Sequence, residues 1–105
     1  MTYITLNSYY DDHILECTGH TGYATRGKDI ICASVSILCL TIADYLNEAA
    51  KNGLISNLLC DISSGYANIR FTSKHGEEAE KCFLAITNGF KLLAECFPDH
   101  INYDA

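Results

Sequence analysis

From Ile30 to Ala43 the chain runs fourteen residues without a charge, and Asp29 stands immediately before the run. The pattern continues to Asn52 and stops at Gly53, which predicts a long helix from about Ile30 to Asn52. Its first half is apolar almost all round, so it must be buried on more than one side. A sheet on one face and a second copy of the chain on the other satisfy that demand. The uncharged run is shorter than the roughly 20 residues that span a bilayer, and it carries Ser34, Ser36 and Thr41. No membrane partner is expected.

The rest of the chain supplies the sheet. Thr2 to Asn7 and His13 to Thr18 are β-branched-rich strand candidates around the turn Tyr9-Tyr10-Asp11-Asp12. Ile55 to Ile62 and Tyr66 to Thr72 form a hairpin through Ser63-Ser64-Gly65, with Ala67, Ile69 and Phe71 on one face. A second helix runs from about Gly76 to Cys96, its stripe set by Ala79, Phe83, Ile86, Phe90 and Leu93, and Pro98 ends it. The order ββαββα gives an α+β fold, a two-layer sandwich of two helices on one mostly antiparallel four-stranded sheet. With 105 residues, 49% apolar and 19% charged, it is one globular domain over residues 1–105. A net charge of −6 excludes a general nucleic-acid binder and suits a basic partner.

The first residues show no basic segment followed by an apolar one, so no export signal is visible. Cys39, Cys60, Cys82 and Cys96 lie in apolar periodic segments, and no CxxC or Cys/His pair has zinc spacing. Reduced thiols in a cytoplasm are therefore expected, with no metal and no cofactor. Cys17, Cys39, Cys60, Cys82 and Cys96 read as core packing. His13 and His75 flank turns and read as exposed, and His100 as solvated.

The segment Gly19 to Ser36 carries the chemistry. His20 lies in a stretch punctuated by Gly19, Gly22 and Gly27, which reads as a mobile loop. Asp29 is placed to cap the helix, which puts Cys32 at the third helical position. Free N–H groups and the positive end of the helix then face the sulfur, favouring the attacking thiolate and able to cradle an oxyanion. His20 beside it completes a nucleophile and a proton carrier. Ser36 projects one turn further along the same face. Tyr23 either lines a cleft or anchors the loop. Against this stands the plainer reading, a helix-start cysteine that is only a small buried apolar residue.

Gly19-His20-Thr21, followed by Gly27-Lys28-Asp29-Ile30-Ile31-Cys32-Ala33-Ser34-Val35-Ser36, closely resembles the Prp family of ribosomal-processing cysteine proteases. The family pattern is Gly-His-Ala and then Gly-x-Asp-Ile-Val-Cys-Ala-Ala-Val-Ser, so Thr21, Ile31 and Ser34 are departures that remove no reactive group. The resemblance extends over the whole chain, including the ββαββα order and the ending Phe97-Pro98-Asp99-His100-Ile101. It implies that His20 is the general base and acid, that Cys32 is the nucleophile, and that Asp29 and Ser36 orient and support them. Gly19 would let the loop turn. It further implies a homodimer whose substrate is the N-terminal extension of a large-subunit ribosomal protein (number twenty-seven), cut beside a hydrophobic and aromatic stretch to give a working ribosome. The alternative is a non-catalytic, dimeric, ribosome-associated peptide-binding module. Such a module needs no nucleophile at a helix start.

Overall fold

The computed structural model describes residues 1–25 and 29–105. Among the described residues, seven elements follow one another: β1 (Thr2–Tyr9), β2 (Asp12–Gly19), α1 (Ile30–Lys51), β3 (Ser56–Ser63), β4 (Tyr66–Thr72), α2 (Glu78–Cys96) and β5 (Ile101–Asp104). They build one sheet in the order β3-β4-β2-β1-β5. Every pairing is antiparallel except β1 with β5, which run parallel with Thr2 opposite Ile101. The α+β sandwich therefore has five strands rather than the expected four. β5 has four residues and only Ile101 is a buried apolar anchor, too little to read as a strand. It forms because the outer edge of β1 offers unpaired backbone groups.

Register explains which side chains face the helices. Three rows cross the inner face of the sheet: Ile4–Cys17–Ala67, Leu6–Leu15–Ile69 and Ser8–His13–Phe71. Ile4, Leu15 and Ile69 are fully buried there. His13 is in phase with them, which overturns the expectation that it is exposed: the two-residue side-chain period carries it inward although it adjoins a turn. Its Nε2 faces the Ser73 carbonyl at 3.3 Å and Glu80 Oε2 at 3.4 Å, so that nitrogen carries a hydrogen, and its Nδ1 pairs with the Ser8 hydroxyl at 2.8 Å. Its ring also stacks on Phe71, centroids 4.9 Å apart.

On α1, Ile31, Val35, Cys39, Ile42, Leu46 and Ala49 repeat every three or four residues and pack into the core. By length and composition alone this helix is apolar enough to cross a membrane. Here its buried stripe lies in the protein core, while Ile30, Ile37 and Leu40 remain more than half exposed on the other side. Of the cysteines expected to pack inside, only Cys17 and Cys39 are buried, their sulfurs 3.7 Å apart. Their contact and burial push the Cys17 thiol up, so it stays protonated. Cys82 is half-buried. Cys60 and Cys96 are exposed, because Cys60 lies on the edge strand β3 and Cys96 is the last residue of α2.

α2 seals the far end of the core with Phe83, fully buried against Phe71 at a centroid distance of 4.8 Å. Phe83→Ala should lower the free energy of unfolding by about 3–5 kcal/mol through lost transfer energy and an unfilled cavity. Urea unfolding checks this; a loss below about 1 kcal/mol would show that the site collapses around the smaller side chain.

Candidate active site

β2 hands the chain to α1 at one end of the sheet. Gly19 turns the backbone with φ +94°, and a Cβ there would overlap the Met1 carbonyl oxygen, so no other residue fits. Its N–H donates to the Gly65 carbonyl in the β3–β4 turn, at 2.9 Å. The His20 carbonyl accepts from the Met1 amino group at 2.7 Å. The His20 ring rests against Gly65, where an added Cβ would lie 2.7 Å from Nε2. Glycine at the turn thus leaves the space the imidazole occupies.

Asp29 caps α1 as expected, with extended backbone at φ −81°, ψ 97°. Its Oδ1 accepts the N–H groups of Ile31 at 3.0 Å and Cys32 at 2.9 Å. Its Oδ2 accepts the Thr21 hydroxyl and the N–H groups of Tyr23 at 3.1 Å and Ala24 at 3.5 Å. Burial raises the carboxyl, but the bonds from Thr21, Cys32, Ala24 and Tyr23 outweigh it and hold the group at about 2. The expectation of free helix N–H groups at the sulfur is corrected by the same bonds. Those of Ile31 and Cys32 are already taken by Asp29, and that of Ala33 donates to the Asp29 carbonyl.

Cys32 is half-buried at the third position of α1. Among the described residues, its sulfur finds its hydrogen-bonding neighbours in Thr21: the N–H at 3.4 Å and Oγ1 at 3.4 Å. Thr21 is 1% exposed, although His20 and Gly22 on either side of it are exposed. One cleft of about 490 Å³ brings together Gly19, His20, Asp29, Cys32 and Ser36, all five residues nominated from the sequence, with the β3–β4 turn from Ile62 to Tyr66 as a further wall. Gly27 and Lys28, part of the expected mobile loop, lie outside the described residues.

Sequence reasoning missed three contributors. Thr21 is one; its signal was the alcohol standing directly after His20. Gly65 is another, legible only as a turn glycine. The third is His100, which is not solvated as expected: its Nδ1 donates to the Thr21 carbonyl at 2.9 Å. Tyr23 packs edge-on against His100 and Phe97, at 5.4 and 6.0 Å, which makes it the loop's anchor.

The family model described as cysteine protease Prp matches residues 1–102. Among solved structures, the chain is similar to SMU.848 from Streptococcus mutans, with 25% identity and a TM-score of 0.70 over 99% of this chain and 92% of that one. It is similar in fold to the essential ribosomal processing protease Prp from S. aureus in complex with a covalently linked product peptide. That match has 20% identity and a TM-score of 0.72, over 99% of this chain and 98% of that one. The same S. aureus protease in complex with a substrate peptide matches at 16% identity and a TM-score of 0.71 over the whole of both chains. No curated protein matches.

Removing the cap should loosen helix and loop together. Asp29→Ala is expected to lower stability by about 1–2 kcal/mol, the usual range for a lost N-cap. Because its folded carboxyl sits below the unfolded value, Asp29 stabilises fully above about pH 4 and loses that effect as pH falls toward about 2. Thermal unfolding across this range should therefore show a smaller gap between parent and Asp29→Ala at the acid end. A gap independent of pH would contradict it.

Proposed function

The chain belongs to the cysteine protease Prp family, and on that premise we propose that it removes the N-terminal extension of a large-subunit ribosomal protein with Cys32 as nucleophile and His20 as base and acid. The observation that carries the reading is the cleft itself: a half-buried sulfur at a helix start and an imidazole lining the same space. The S. aureus relatives, solved with a substrate peptide and with a covalently linked product peptide, lend support to a peptide substrate. A net charge of −6 suits a basic ribosomal-protein tail.

In this reading His20 takes the thiol proton of Cys32, and the sulfur attacks the scissile carbonyl carbon. The tetrahedral intermediate collapses as His20 returns the proton to the leaving amine. Water, activated by the same imidazole, then cleaves the thioester and frees Cys32. For this the ring leaves its seat on Gly65 and turns toward the sulfur when a peptide fills the cleft, in the manner of other closing loops. Asp29 and Ser36 touch the cleft as supports rather than reactants. We place the reaction in the cytoplasm and assign the exposed α1 flank of Ile30, Ile37 and Leu40 to a homodimer.

Cys32→Ala and Cys32→Ser should reduce cleavage of an extension peptide to background while the fold persists. His20→Ala should lower the rate by about 10²–10⁴-fold. New termini found by mass spectrometry give the readout; undiminished cleavage in both Cys32 variants would remove the sulfur from the mechanism. The dimer has its own check. Ile37→Asp should shift sedimentation from dimer to monomer, and a parent that sediments as a monomer defeats the assignment.

A further inference from the structure

Thr21 makes more contacts with the reactive end of the cleft than any role assigned so far requires. Its main-chain N–H and its hydroxyl oxygen both lie 3.4 Å from Cys32 Sγ, its hydroxyl reaches Asp29 Oδ2, and its carbonyl is held by His100. It is buried to 1% exposure in a loop whose neighbouring residues are exposed. A loop filler needs none of these bonds.

A hydroxyl has one hydrogen and two lone pairs. With its hydrogen on Asp29, Thr21 Oγ1 presents a lone pair to the sulfur and can accept the S–H of a thiol. Once the thiol proton has gone to His20, that arrangement sets a lone pair against a thiolate. Rotation about the Cβ–Oγ1 bond corrects this by turning the hydrogen from the carboxylate to the sulfur. Asp29 Oδ2 keeps the N–H groups of Tyr23 and Ala24 while the hydroxyl is turned away. Thr21 neither gains nor loses a proton. The need for such a donor is specific, because Asp29 has already taken the helix N–H groups of Ile31 and Cys32.

We propose that Thr21 is a positioning residue for Cys32, its hydroxyl accepting from the resting thiol and donating to the thiolate while its N–H holds the sulfur in both states. The inference rests on the reading of Cys32 as nucleophile, and its experiment reads the sulfur without needing peptide cleavage. The rate of Cys32 alkylation by iodoacetamide is followed against pH, with the modified peptide quantified by mass spectrometry. The parent is compared with Thr21→Val, which keeps the shape and loses the hydroxyl, with Thr21→Ala, and with Thr21→Ser, which restores the hydroxyl.

The hydrogen bond gained by the ionised sulfur, less the Asp29 bond given up for it, corresponds to about one pH unit. Thr21→Val and Thr21→Ala should therefore move the alkylation profile about one unit upward, a roughly 10-fold slower reaction at a fixed pH below the midpoint. Thr21→Ser should return the profile to the parent's position. Profiles unmoved in both hydroxyl-free variants overturn the proposal, and so does a Thr21→Ser profile displaced as far as theirs, since the methyl group would then be the part that matters. If Thr21→Val proves unfolded by circular dichroism, Thr21→Ala and Thr21→Ser decide alone. Loss of the Cys32 nucleophile reading would show instead as cleavage surviving Cys32→Ala, whatever the alkylation profiles do.

Discussion

The ionised carboxylate of Asp29 ties the start of α1 to the loop that precedes it. One oxygen starts α1 by accepting the N–H groups of Ile31 and Cys32, and the other ties down the loop through Thr21, Tyr23 and Ala24. Hydrogen bonds to an ionised acceptor are stronger than neutral ones, which offsets the desolvation of the charge. The arrangement has a chemical consequence. A negative group sits where the positive end of the helix would otherwise face the sulfur, so the donors nearest Cys32 Sγ come from the loop and not from the helix.

The inner face of the sheet is graded in size from one end to the other. Far from the cleft, His13 and Phe71 fill the space with Phe83 packed edge-on against Phe71 behind them. Beside the cleft the row is Ile4–Cys17–Ala67, and Cys17, Ala67 and Cys39 themselves line the opening. A close-packed interior leaves no room by accident. The small side chains of Cys17 and Ala67 in that row border the unfilled volume of about 490 Å³.

What the sequence revealed follows the range of each signal. Both long helices, four strands and the cap at Asp29 rest on patterns within a few residues, and all are present. The position of Cys32 follows from the cap by counting along the helix. His13 adjoins a turn, which suggests exposure, but its phase with Leu15 and Cys17 carries it inward. Cys60 is exposed despite its apolar neighbours because such a neighbourhood does not say whether the strand lies at an edge. β5 and the His100 bond were invisible for a different reason. They are contacts with residues far back in the chain, Thr2 with Ile101 and Thr21 with His100, and neither leaves a local mark.

The bond from His100 to the Thr21 carbonyl also orders events in time. As the chain emerges during synthesis, β1, β2, α1 and the β3–β4 hairpin are all available before residue 100 exists. The core can begin to assemble, yet the loop beside Cys32 lacks the donor that fixes Thr21 and the aromatic partners that seat Tyr23. Only when α2 has formed and the residues after it have folded back beside β1 does that loop gain its last restraint. The last restraints on the loop beside Cys32 are thus supplied by the residues that follow α2.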